Sequence, residues 1–168
     1  MAEDIDRPIS IRIIEEKDNI QVSQLIVSVM SDYGCIGEGY SSSDPELENM
    51  YISYSKEKHV FYVIVNDLDN VLGCGGIAPL TGADDNTCEL RKMYFYQKLR
   101  GRGYGRQLMD LLLQQAAIMG YLKCYLETVE RMKSAGILYA KYGFLKLPSS
   151  HGNTGHCGCD VHMIKELV

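Results

Sequence analysis

Residues 9–14 (ISIRII) alternate between apolar and polar positions, the period of a half-buried strand. Behind them Val22, Leu25, Ile26, Val29 and Tyr33 recur at three- and four-residue spacing. That stripe predicts a helix with Asp18 as its N-cap and Gly34 at its end. A glycine- and serine-rich loop occupies 34–43. Asp44-Pro45 then pairs an N-cap residue with a proline suited to the first helical position. A short helix is expected there, with Leu47, Met50, Tyr51 and Tyr54 turned inward. Strands follow at 60–66 (VFYVIVN), 71–78 (VLGCGGIA) and 87–96 (TCELRKMYFY), the first two joined through a turn-forming tetrad at 67–70 (DLDN) as a hairpin. Residues 104–119 form an amphipathic helix with Leu108, Leu111, Leu112, Gln115 and Met119 on one face, stopped by Gly120. A strand at 122–128, a helix at about 133–142 and strands near 144–147 and 160–167 complete the order βααβββαβαββ. That order describes an α/β domain with a mixed sheet.

Composition narrows the picture. The chain has 168 residues, with no repeat and no linker-like stretch, so a single domain over 1–168 is expected. No apolar run of 18 residues exists, and the acidic start MAEDIDRPIS lacks the apolar core of a secretory signal. A cytosolic protein without a membrane span is the expectation. In that setting Cys35, Cys74, Cys88, Cys124, Cys157 and Cys159 read as reduced thiols, several of them buried in strands. The net charge of −5 argues against general nucleic-acid binding. Against that acidic background, Lys98, Arg100, Arg102 and Arg106 fall within nine positions. A solvated loop would account for charges alone, but the interleaved glycines favour an anion site.

That stretch, Leu99-Arg100-Gly101-Arg102-Gly103-Tyr104-Gly105-Arg106-Gln107-Leu108, lies between a strand and an amphipathic helix. Glycines at alternate positions let backbone N–H groups reach a ligand unobstructed. The helix start adds about half a positive charge, which suits a phosphate. A Walker loop would end in Gly-Lys-Ser/Thr, and Gly105-Arg106-Gln107 does not. A dinucleotide fingerprint would be Gly-x-Gly-x-x-Gly near the start of a βαβ unit, whereas these glycines stand at 101, 103 and 105 past mid-chain.

Arg100-x-x-Gly103-x-Gly105 resembles the acyl-CoA-binding motif of the GCN5-related N-acetyltransferases. The strand 89–95 (ELRKMYF) precedes it at the family's spacing, and 135–144 (AGILYAKYGF) looks like the family's Ala-x-x-x-Tyr-x-x-x-Gly-Phe signature. The element order is also the family's, so the resemblance covers 9–167. The stretches 76–82 and 155–160 are more narrowly similar to a bacterial subgroup that includes protein-lysine acetyltransferases. The fold implied is a mostly antiparallel mixed sheet flanked by helices. The function implied is transfer of an acetyl group from acetyl-CoA to an amine, a small molecule or a protein lysine, with no metal. It implies that the backbone of Met93, Tyr94 and Phe95 pairs with the pantetheine arm. Arg100, Gly101, Arg102, Gly103, Tyr104, Gly105 and Arg106 would hold the pyrophosphate. One departure stands out: where many relatives carry Asn, this chain has Met132.

An amine acceptor arrives protonated, so a base is required. Glu89 is the candidate, at the position of the family's glutamate base. It lies six residues before Phe95 in one strand, so alternation predicts a shared face. Tyr139, four residues before Gly143, is the candidate acid for the departing thiolate. The plainer readings are a surface-facing strand glutamate, a packing role for Tyr139, and core packing for Tyr142. His151, His156, Cys157, Cys159 and His162 supply metal-ligand types without the spacing of a known zinc module. They read better as a loop beside the acceptor, with His156 touching it. A covalent route through Cys124 or Cys88 lacks a paired histidine and acid, so direct transfer in a ternary complex is expected. Glu38, Asp84, Asp85 and Glu89 would suit a cationic acceptor. Two matters stay open: a homodimer, and a non-catalytic acyl-CoA sensor with the same fold.

Overall fold

The computed structural model describes residues 5–167. Its seven strands are β1 (Ile9–Ile13), β2 (Val60–Asn66), β3 (Val71–Pro79), β4 (Thr87–Phe95), β5 (Lys123–Thr128), β6 (Leu145–Leu147) and β7 (Val161–Glu166). They form one sheet in the order β1-β2-β3-β4-β5-β7-β6. Every neighbouring pair is antiparallel except β4 and β5. Four α-helices, α1 (Asn19–Asp32), α2 (Met50–Ser53), α3 (Tyr104–Ile118) and α4 (Lys133–Lys141), give the expected order.

Two cores explain the strand sequences. Tyr62 and Ile64 of β2 join Leu108, Met109 and Leu112 of α3 on one face. Phe61, Val63 and Val65 meet Val22, Leu25 and Ile26 of α1 on the other. A strand covered on both faces has no need of polar alternation, which is why VFYVIVN shows none. The cysteines at 74, 88 and 124 are buried in strands, Cys35 is buried after α1, and no disulfide occurs among the described residues.

Several local expectations are corrected. The Asp18 side chain does not cap α1. Its carboxylate accepts from the Glu15 backbone N–H at 2.8 Å and pairs with Arg12 at 2.7 Å. The short second helix is broken into a 3₁₀ turn at Pro45–Glu48 and α2, which Asn49 caps; Leu47, Met50 and Tyr54 are buried but Tyr51 is exposed. Along α3 the buried stripe is Leu108, Met109, Leu112 and Ala116, about one position round from the face expected.

Two irregularities of β4 shape the centre of the sheet. It pairs with β5 only at Thr87↔Lys123, Cys88↔Cys124 and Glu89↔Tyr125. Beyond Glu89 it stays with β3 while β5 stays with β7, so a gap opens between β4 and β5. Opposite β3, Arg91 pairs with Gly76 and Tyr94 with Cys74, leaving Lys92 and Met93 against Gly75 alone. This is a β-bulge, with Lys92 at φ +52°.

Candidate active site

A cavity of about 310 Å³ occupies the gap. Met93, Tyr94 and Phe95 of β4 form one wall, and Ala135, Leu138 and Tyr139 of α4 form the other. Arg100, Gly101 and Gly105 close one end beside Tyr33 of the α1 C-terminus. Met132 and Ser134 also line it, so the segment that carries methionine in place of asparagine reaches the cavity.

Gly101 and Gly103 adopt φ +74° and +87°, and Gly103 stands at the N-cap of α3. Both need the left-handed region that side-chain-bearing residues avoid. A Cβ at either would meet nothing within 4 Å, so the backbone there faces open space. Bare amides at the start of a 15-residue helix fit a pyrophosphate. Arg100 braces the loop: its Nε donates to the Phe95 carbonyl at 3.0 Å and its guanidinium lies 5.8 Å from the Tyr33 ring centre. Arg102, Gly103, Tyr104 and Arg106 belong to the loop and the first turn of α3 but not to the cavity wall.

Tyr139 is buried, with its ring edge-on to Phe144 at 6.0 Å. Burial pushes its phenol above the ordinary tyrosine range. The group is thus held protonated against the cavity, the state a proton donor needs. Tyr142 is half-buried against the core, and its hydroxyl donates to Asp110 at 2.6 Å and lies 3.1 Å from the Arg106 carbonyl.

Glu89 is not on the face of Phe95. Cys88, Leu90, Met93 and Phe95 pack against the α3 side, and the extra residue at the bulge breaks the two-residue alternation between Glu89 and Phe95. Nor is it a surface glutamate, since its side chain is 4% exposed. It accepts from Arg91 Nε at 2.6 Å, and a second Arg91 nitrogen donates to the Pro79 carbonyl at 3.0 Å. Burial raises its pKa, with Arg91 pulling the other way.

Beside Glu89 the structure assembles groups that local sequence patterns do not join. His156 Nε2 meets both Asp44 oxygens, at 2.9 and 3.0 Å. Asp44 also accepts from the buried Lys92 ammonium at 2.6 Å, and Lys92 reaches Glu46 as well. Burial lowers the His156 pKa and Asp44 raises it, leaving it above the ordinary histidine value. Glu127 of β5 lies between Tyr125 and Thr154, and its only trace in the sequence is a carboxylate following the apolar run 124–126. Ligand atoms of Glu89, Glu127 and His156 lie within 4.8 Å of one another. Asp84 is occupied structurally, accepting from Thr87 Oγ1 at 2.8 Å.

Comparison with known proteins fits this geometry. Residues 25–144 match the family model described as Acetyltransferase (GNAT) family. The chain is 40% identical over 152 residues to YjgM, an uncharacterized N-acetyltransferase of Escherichia coli, covering 90% of each. An uncharacterized N-acetyltransferase of Schizosaccharomyces pombe is 23% identical over 80% of both chains. Among solved structures, a GNAT-family acetyltransferase of Staphylococcus aureus superposes with a TM-score of 0.82 at 23% identity, over 96% of this chain and 100% of that one. The structure of yncA from Salmonella typhimurium with its cofactor acetyl-CoA gives 0.72 at 17% identity, over 96% and 95%. With its splayed β4 and β5, its glycine loop and its match across most of the chain, the protein belongs to the GNAT family of acetyltransferases.

Proposed function

We propose that this chain, as one cytosolic domain over 1–168, transfers the acetyl group of acetyl-CoA directly to an amine within a ternary complex. The observation that carries the reading is the cavity in the β4–β5 gap. A glycine-lined helix start closes one end, a protonated phenol forms part of its wall, and a buried carboxylate stands where the strands part. The residues fit acetyl-CoA, the cofactor bound by yncA. Bare amides at Gly101 and Gly103 would take the pyrophosphate, and the open edge of β4 would take the amide-bearing arm.

Glu89 removes a proton from the acceptor ammonium, freeing the nitrogen lone pair to form a bond to the acetyl carbon. As the carbon–sulfur bond breaks, Tyr139 gives its proton to the departing thiolate. As the adduct collapses its nitrogen loses a second proton, which restores the Tyr139 phenol, so the products are an acetamide and coenzyme A with the first amine proton left on Glu89. Buried cysteines are poor alternatives. The Cys124 thiol is held well above its ordinary value by its hydrogen bond with Cys88 and by burial, so it resists forming the thiolate a covalent route requires.

Thiol release from acetyl-CoA across small amines and lysine peptides tests the reading. The expected result is release that depends on both enzyme and amine. Binding of acetyl-CoA with no release across the panel would favour the non-catalytic sensor.

A further inference from the structure

Glu127 stands two residues past the last β4–β5 pair, on the part of β5 that has left β4. Its side chain is 3% exposed. One oxygen accepts from the Tyr125 hydroxyl and the other from Thr154 Oγ1, both at 2.7 Å. The neighbouring carboxylates have full-time cations: Glu89 has Arg91, while Asp44 and Glu46 share Lys92. Among the described residues, Glu127 has only the rings of His156, at 3.7 Å, and His162, at 3.8 Å. A buried carboxylate without a permanent counter-charge is costly, and a cationic ligand would relieve it.

His156 is built to the same end. A carboxylate can only accept, so Nε2 carries the hydrogen shared with Asp44. In the neutral ring, present above the raised His156 pKa, Nδ1 is a bare acceptor facing Glu127 at a distance too long for a hydrogen bond. The His156 side chain is 10% exposed, so little solvent competes for that nitrogen. A cavity of about 350 Å³, bounded by Glu127, Asn153, Thr154, His156 and His162, leads from outside to this point.

We infer that Glu127 and His156, with Glu89 as the third acceptor, form the pocket that holds the acceptor's primary ammonium. This rests on the acetyltransferase reading and supplies its missing half. An ammonium bonded at about 2.8 Å to three acceptors in tetrahedral directions sets them about 4.6 Å apart. The three ligand atoms here lie within 4.8 Å of one another. The 3.7 Å between His156 Nδ1 and Glu127 is tighter than the ammonium spacing and near the about 3.4 Å that zinc bonds of about 2.1 Å would set. Distance alone therefore does not separate the two cations, and the Zn²⁺ arm of the test does. Asp44 and Thr154 are positioning residues, fixing the imidazole tautomer and the carboxylate rotamer.

The test titrates n-butylammonium, n-butanol and Zn²⁺ separately into the protein, with and without saturating coenzyme A, while the His156 ring resonances are followed by NMR. The expected result is a saturable shift with butylammonium and none with butanol. In Glu127→Gln the apparent Kd should rise at least tenfold with coenzyme A affinity unchanged, and Glu127→Asp should recover part of the loss. Equal response to butanol, response to Zn²⁺ alone, or an unchanged Kd in Glu127→Gln would overturn the assignment. Failure of coenzyme A to bind while butylammonium still shifts His156 would count against the acetyltransferase reading and leave the ammonium pocket standing.

Discussion

At the scale of single residues, the two proposed proton-transfer groups have displaced titrations for the same reason, burial, with opposite consequences. Burial raises Tyr139 and keeps it a donor. It also raises Glu89, so this carboxylate ionises at higher pH than an exposed glutamate. A base works only when unprotonated, so the rate should climb as pH rises through the raised Glu89 value. Glu89→Gln should lose that limb and cut kcat by about 10²–10⁴-fold, leaving a rate that grows only as free amine appears. Tyr139→Phe keeps the ring against Phe144 and should lower kcat with little change in acetyl-CoA affinity. A pH–rate profile of Glu89→Gln that overlays wild type would remove Glu89 as base. An unchanged single-turnover rate in Tyr139→Phe would return that residue to a packing role.

At the scale of elements, the bulge in β4 matters most. The element order, the hairpin, the glycine loop and the helix after it were all legible from periodicity and turn chemistry, because those signals are local. The bulge was not, since an even count of residues says nothing about an inserted one. Its trace in the sequence is the pair Gly75-Gly76 on the partner strand: a Cβ at Gly75 would crowd Leu108, Leu112 and the Met93 backbone. At Gly76 a Cβ would sit 2.5 Å from the Phe61 ring and 2.7 Å from the Val60 carbonyl. A backbone atom cannot give way as a side chain can, so Gly76→Ala should cost about 2 kcal/mol. Thermal unfolding should fall by about 4–8 °C; an unchanged midpoint would mean the strands are not packed this closely. The acceptor side was hidden for a related reason. Asp44 has the local pattern of an N-cap, but its carboxylate is taken by Lys92 and His156, 48 and 112 residues away. Glu127 likewise acquires its setting from Thr154 and His156, which only the folded sheet brings near.

At the scale of the whole molecule, the parting of β4 and β5 makes one half of the proposed site, and the end of β5 with the 150–159 segment makes the other. Because β4 pairs with β5 for only three residues, the sheet opens. That opening is an apolar cavity ending at the α3 glycines, and a separate polar cavity, lined by Glu127, His162 and the 150–159 segment, ends at Glu127. Glu89 stands at the last pair, where the strands part. On the proposed reading acetyl-CoA takes the first cavity and the amine the second. Calorimetric titration of acetyl-CoA into wild type and Gly103→Asp tests that assignment most directly. A Cβ at residue 103 meets nothing, and the strain of a side chain at φ +87°, about 1–2 kcal/mol, is small against the stability of a folded domain, so the variant should fold, while its carboxylate would face the pyrophosphate where bare amides stood. The account predicts saturable one-to-one binding by wild type and at least tenfold weaker binding by Gly103→Asp with unchanged circular dichroism. No binding by wild type, or equal affinity in the two proteins, would contradict it.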